Sequence, residues 1–353
     1  MNTIKYSFFL LLSVVMVLSS CNEVTKTLEK TGKSDLYPIA LDGKEGYIDA
    51  SGTIVIDPQF DFVGNFIEGL ACVRVGDKWG YIDNTGKYVI DLQFDDVYRF
   101  YEDFATVKIV DKWGYINKKG QIVINPQFDI AAGFSEGLAS FQIGDKCGFV
   151  DKKGIIVINP QFDGTGWFSE GLACVYSGNP ENGKYGFIDK SGKNVIALQY
   201  DGARDFSGGI AFVKIGDKWG AIDQKGKLVI QPQFDGVFDF SEGLASVSIG
   251  NSEERMFGYI DKNGKYVINP IYKVALSFSE GLACVYNVEK NAWGYIDKTG
   301  KFVITPQYDF GGKFIGKIAP VWKDNKFHYI DKEGNIIWTS EEEPSVIREL
   351  YPI

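Results

Sequence analysis

A single histidine, His328, is all that 353 residues hold. A Ser-His-Asp relay or a Cys-His pair would have only this base to draw on. The chain also lacks H-E-x-x-H, a paired C-x-x-C, G-x-x-x-x-G-K-[ST] and a strand-linked G-x-G-x-x-G, so zinc-hydrolase and nucleotide-binding classes fall. Positive charge is scarce: 37 basic side chains face 46 acidic ones. Nucleic acid and anionic lipid headgroups both demand clustered Lys and Arg, and neither fits. Long apolar runs are missing too, the longest being Phe8–Leu18, far short of the roughly 20 residues that cross a bilayer. Five cysteines are too few and too scattered for a disulfide framework.

What is present begins at the amino terminus. Residues 1–20 carry Lys5 as their only charge, then the apolar run, then Ser19 and Ser20, as a secretory signal does. "LSSC", ending at Cys21, resembles the lipobox of bacterial lipoproteins, which implies that Cys21 is lipidated and begins the mature chain. An ordinary cleaved signal fits the small residues as well. Loss of residues 1–20 leaves 36 basic against 46 acidic side chains, a balance of −10. Two or more acyl chains suffice for stable anchoring, so the lipidated protein is anchored to a membrane without spanning it. Asn22 is not the aspartate associated in some bacteria with inner-membrane retention, so the resemblance leans towards an outer-membrane, envelope-facing location. Residues 21–35 read as the lipidated end and a polar tether.

The rest is periodic. "DKWGYIDNTGKYVI" from Asp77 returns as "DKWGYINKKGQIVI" from Asp111, "DKWGAIDQKGKLVI" from Asp217 and "NAWGYIDKTGKFVI" from Asn291. Marked by glycine, the series runs Gly46, Gly80, Gly114, Gly148, Gly186, Gly220, Gly258 and Gly294, with His328 in the ninth place as a substituted glycine. Extra residues fall at one point in the unit, around Ser177–Lys184, Gly250–Met256 and Asn287–Ala292. Insertions at one point map to loops on one face of an array, often the binding face.

Each unit predicts three strands. In the second, Leu70–Val75 has apolar residues on both pleat faces, Trp79–Asp83 follows a Gly76-Asp77 turn, and Lys87–Ile90 follows Asp83-Asn84-Thr85-Gly86. Asp at the first turn position and Gly at the fourth favour a type I turn with a glycine bulge. This turn recurs from Asp49–Gly52 to Asp331–Gly334, with Asn117 as the one substitution, and turn chemistry explains it better than a calcium loop, which needs more oxygen ligands. A second phrase, "PQFD" at Pro58, Pro126, Pro160 and Pro232, ends the ladder at its proline and sends its aromatic into the core. Glu136, Glu170, Glu242 and Glu280 recur in Glu-Gly turns into the next unit, as turn anchors or as a repeated polar stripe.

The Trp-Gly pair, "GYIDKTGKFVI", "PQFD" and "F-x-E-G-L-A", linked in fixed order, resemble the bacterial WG (KWG) repeat over residues 36–338. Glu45, Cys147, Tyr185, Phe257 and Phe327 depart from its tryptophan. The implied fold is an all-β tandem array of about nine WG-type three-stranded repeats, open and superhelical or solenoid-like, with a closed β-propeller-like ring as the alternative. Nine units, the 34-residue period and the absence of an offset between the chain ends favour the open form. Residues 339–353 are a tail that caps the array or frays.

Cys72, Cys174 and Cys284 exchange with Ser140 and Ser246 in one phrase, as small packed side chains do. Cys147 and Cys174, from adjoining units, are the one pair whose separation would decide a disulfide. A glycosidase needs two carboxylates in different environments, whereas these acids are copied with their neighbours; the expectation is no enzyme, no cofactor and no metal. Trp79, Trp113, Trp219 and Trp293 share one position and read as core. Contact with a protein or glycan partner is expected from the inserts, through Asn179, Glu181 and Asn182, then Glu253, Glu254 and Arg255, with Trp167 as an aromatic outside the repeat. A glycan hydrolase and a structural spacer are the rival functions.

Overall fold

The computed structural model describes residues 35–179 and 182–351; the lipobox with Cys21, most of the tether and Glu181 lie outside them. Two compact units divide the chain, one made of the segments up to Tyr88 and from Ile271 onward, the other of Val89–Pro270. Both are built from antiparallel sheets, nine in all among the described residues, each drawn from consecutive strands.

The first sheet has three strands, β1 (Leu36–Leu41), β2 (Lys44–Asp49) and β3 (Ile54–Phe60). Every later sheet has four, where the repeat predicts three. The additional strand lies before the Glu-Gly turn, as in β4 (Phe62–Val63), whose Val63 pairs with Val73. In most modules it is two residues long, too short for alternation to show, and it reaches six only at Asp96–Tyr101, Ile130–Ser135 and Gly164–Ser169.

The proline of "PQFD" does not end the ladder. Strand Ile122–Phe128 runs through Pro126: Trp113 pairs with Phe128 and Tyr115 with Ile124, so two extra residues bulge around the proline. A bulge leaves an amide unpaired, and the missing N–H of proline costs nothing there. The bulged backbone crosses the glycine of the Trp-Gly pair. A β-carbon on Gly114 would come within 2.5 Å of the Ile124 carbonyl oxygen and 2.6 Å of the Pro126 nitrogen. The ninth sheet tests this reason: its last strand has no bulge at this point, His328 pairs directly with Thr339, and the position tolerates a side chain. His328 Nδ1 lies 2.9 Å from Thr339 Oγ1, a structural hydrogen bond.

The Asp-x-x-Gly turns form as expected. Gly86 N donates to the Asp83 carbonyl at 3.0 Å with Gly86 at φ +83°, and Asp83 Oδ1 accepts from the amides of Thr85 and Lys87. The aromatic after glutamine is buried at Phe60, Phe94, Phe128 and Phe234. The tryptophan position is core at Trp113 and Trp293 and half-buried at Trp79 and Trp219, where Arg74 and the Phe62 ring cover Trp79.

In the first of these units the first and ninth modules meet. Tyr47 and Tyr295 each donate from the hydroxyl to a backbone carbonyl in the next module, Gly64 at 2.6 Å and Gly312 at 2.9 Å. Tyr329 of the ninth module makes the same bond, at 2.9 Å, to Pro38 of the first. Among the described residues the first module has no first strand of its own. Instead α1 (Ser345–Leu350), with Val346, Ile347 and Leu350 buried, packs against β1 and β4, and Tyr351 behind it accepts from the Lys313 amide at 2.9 Å. The all-β tandem array holds, but such end-to-end contact belongs to the closed alternative and corrects the preference for an open superhelix. No strand pattern in the sequence marks this junction, because the carboxy-terminal partner of the first module is a helix.

Candidate binding surface

Two families of repeated carboxylates have to be placed before any remaining acid can be assigned to a ligand. The first is the aspartate that closes "PQFD". Asp163 Oδ2 accepts from the Gly178 amide of its own sheet at 2.9 Å, while Oδ1 accepts from Lys146 of the preceding sheet at 2.6 Å. Asp129 does the same with Gly144 and Lys112, Asp201 with Gly216 and Lys184, and Asp61 with Gly76 and Lys44. The lysine first, then the glycine amide, hold these carboxyls below the ordinary 3.8. Nearly half the surface of each lysine meets water, so each ion pair alone is weak.

The second family is the glutamate of the Glu-Gly turn, held in the left-handed region at φ 52° for Glu136 and 56° for Glu170. Its carboxylate caps the equivalent turn of the next module. Glu102 accepts from the amides of Glu136 at 2.6 Å and Gly137 at 2.9 Å, Glu136 from Gly171 at 3.0 Å, and Glu170 from Gly208 at 2.5 Å and Gly209 at 2.8 Å. Lys152 and Lys190 add charge at 3.2 and 3.1 Å from Glu102 and Glu136. Burial pushes the Glu136 carboxyl up, but Lys190 and the Gly171 amide outweigh it and leave it below 4.5. Gly208 stands where the next glutamate would be, and there Lys262 donates to the Gly208 carbonyl at 2.9 Å. Within these chains the glutamates are turn anchors that also tie module to module.

Departures from the repeat carry their own roles. Glu45, in a tryptophan position and 5% exposed, accepts from the Val63 amide at 2.8 Å and the Ser345 amide at 2.6 Å, pinning the start of α1. None of Cys72, Cys147, Cys174 and Cys284 is in a disulfide, so the open question of the Cys147–Cys174 pair is answered in the negative. The two side chains lie in different sheets, Cys147 opposite Phe162 and Cys174 opposite Phe187. Burial raises both thiols.

Of the expected contact residues, Asn179 and Asn182 lie on one exposed hairpin end and are knitted to each other: Asn182 N donates to Asn179 Oδ1 at 3.1 Å, and Tyr176 donates from its hydroxyl to the Asn179 carbonyl at 2.6 Å. Glu253 and Glu254 form an exposed turn whose amides donate to Asn251 Oδ1, and Arg255 beside them is half-buried. Trp167 is elsewhere, on the first strand Gly164–Ser169 of its sheet.

Around Trp167 lie residues that the repeat consensus hid. The Tyr101 ring meets Trp167 with centroids 5.2 Å apart, Asp205 Oδ2 lies 3.4 Å from the Trp167 amide, and Arg204 faces Asp239 at 4.0 Å. All belong to the unit Val89–Pro270. The signal was present: the residue before the phenylalanine of "F-x-E-G" has no consensus, running through Arg99, Gly133, Trp167, Asp205 and Asp239. In the other unit a cleft of about 690 Å³ lies between the first and last modules, lined by Phe310, Trp322, Phe327, Glu342 and Arg348 among others. Its polar groups hold the tail: Trp322 donates to Glu343 at 2.8 Å, Arg348 to Glu343 at 2.8 Å, and the Gly43 amide to Glu342 at 3.0 Å.

The family described as WG containing repeat matches this chain over residues 46–79, 79–113, 113–147, 148–179, 185–219, 219–252, 257–287 and 293–327. No curated protein matches it in sequence. Among solved structures, that of a eukaryotic initiation factor is similar at TM-score 0.61 and 10% identity, covering 88% of this chain and 97% of its own. That is a likeness of fold alone. The dihydro-heme d1 dehydrogenase NirN in complex with DHE aligns at TM-score 0.48 and 11% identity, over 90% of this chain and 77% of its own. Hsv2p of Kluyveromyces lactis aligns at 0.41 and 12%, over 65% and 89%.

Proposed function

The chain belongs to the WG containing repeat family, and on that premise we propose that it is a lipid-anchored cell-envelope protein whose β-repeat surface binds or scaffolds a protein or glycan. Cys21 supplies the anchor in this reading, and the array works at the membrane without entering it. One observation carries the binding role: recurring carboxylates are consumed in links between modules, whereas side chains that break the repeat gather around Trp167. A repeated acid tied to two amides and a lysine is a structural member, and the pair of differently tuned carboxyls that hydrolysis needs does not arise from copies.

Cross-linked co-purification of the full chain from native envelopes tests it. A single partner or glycan fraction should be enriched, and replacing Cys21 with serine should release the protein from the membrane pellet. Turnover of an envelope glycan, abolished by one acid substitution with the fold intact, would overturn the binding reading in favour of a hydrolase.

A further inference from the structure

We propose that Tyr101, Trp167, Arg204, Asp205 and Asp239 form a subsite for an uncharged oligosaccharide, an inference that rests on the binding reading above and names its ligand class. Tyr101 stands where five modules have serine, at positions 135, 169, 207, 241 and 279. That serine has a job: Ser135 donates to the Phe168 carbonyl of the next module at 2.7 Å and Ser169 to the Phe206 carbonyl at 2.8 Å. The third module forgoes this hydroxyl to place a ring.

The ring then needs room, and the fourth module supplies it. A β-carbon on Gly133 would collide with the Tyr101 ring and sit 3.1 Å from Trp167, so glycine here lets rings from the modules on either side meet. Both rings remain half-buried and partly open to water. Gly166 makes a second such space, since a β-carbon there would overlap Asp205 Oδ1; without it the carboxylate lies against the Trp167 backbone. Three departures from the repeat thus cooperate to bring two aromatic faces and a carboxylate together.

Arg204 adds an unmet donor. Its guanidinium lies 5.9 Å from the Phe238 ring centre and 4.0 Å from Asp239, beyond hydrogen-bond length, and its buried Nε donates to nothing. A buried donor without an acceptor is costly and points to a missing partner. Charge selects among partners. Asp205 and Asp239 are offset by Arg204 and by Arg99 at the equivalent position, so the row has no net charge to attract an ion. Planar carboxylates and a guanidinium beside amphipathic ring faces match vicinal hydroxyls on one side of a sugar and its C–H face on the other.

Calorimetric titration of the full mature chain with cellohexaose, maltohexaose and chitohexaose, with hexagalacturonate and pentalysine as charged controls, tests this. At least one neutral hexasaccharide should bind. Trp167→Ala and Asp205→Asn should each weaken that binding by about tenfold or more. Tyr101→Ser, which restores the repeat, should weaken it less, and Lys225→Ala, on an exposed turn away from these residues, should leave it unchanged. Asp205→Asn is close to isosteric and covers the case of an unstable Trp167→Ala. Binding of none of the neutral sugars, binding of a charged control alone, or unchanged affinity in Asp205→Asn and a folded Trp167→Ala would each overturn the proposal. A partner captured from envelopes equally by wild type and Asp205→Asn would keep the binding reading and discard this one.

Discussion

Between the third and fourth modules three links are written in repeated letters: Lys112 with Asp129, Glu102 with the turn of Glu136 and Gly137, and the Tyr115 hydroxyl with the Ala132 carbonyl at 2.8 Å. Between the ninth module and the first the tyrosine bond survives in that form, Tyr329 to Pro38. Ser340 donates to the Ala40 carbonyl at 3.0 Å, Glu45 grips both α1 and β4, and α1 replaces a strand. A repeating module is joined to its successor by residues that can be copied, whereas the two chain ends are joined by residues that occur once. Loss of one copied link leaves equivalents on either side, and loss of a unique one has no substitute.

The sharpest way to break the comparison is Glu45→Ala. It orphans the Val63 and Ser345 amides, and two unsatisfied donors should cost about 3 kcal/mol, read as a lower denaturant midpoint. A smaller effect sharpens it: Tyr329→Phe and Tyr115→Phe should each lose about 1 kcal/mol, the value of one hydrogen bond, if the two junctions are equivalent in this respect. A negligible loss at Tyr329 alone would mark the terminal junction as a looser contact. Acid should act on the copied links. Asp129, Asp163 and Asp201 titrate below 3.8 when folded, so the unfolded chain takes up protons first as pH falls, and the stability they confer is present above 3.8 and drains away beneath it. Thermal melts should therefore hold steady from neutral pH to about 5 and drop below about 4, and a flat profile to pH 2 would remove these links from the account. The smallest change is a gain. Asp103 occupies a left-handed site at φ 71° where most modules have glycine, and Asp103→Gly should raise stability by up to about 1 kcal/mol despite losing the exposed Lys118 pair.

Much of this was legible from the letters alone. The Asp-x-x-Gly turn and the buried aromatic of "PQFD" are each local, and the repeat shows them again and again. The two-residue strand Phe62–Val63 was hidden because pairing with Val73 and Arg74, not its own pattern, makes it a strand. Pro126 misled because a proline that ends one ladder is harmless in a bulge. The end-to-end junction was illegible for another reason: Glu45 and Ser345 are 300 residues apart and neither resembles the consensus. Around Trp167 the consensus itself was the obstacle, since Tyr101, Asp205 and Asp239 look like wear until neighbouring modules are set side by side.

Spin labels on Leu41 and Glu341, both exposed, address the terminal junction directly. Double electron–electron resonance on the folded chain should give one narrow distribution at the short end of its range, lost on Glu45→Ala or with removal of α1. A long or broad separation in the native chain would mean that the first and last modules do not adjoin, and the closed arrangement would fall.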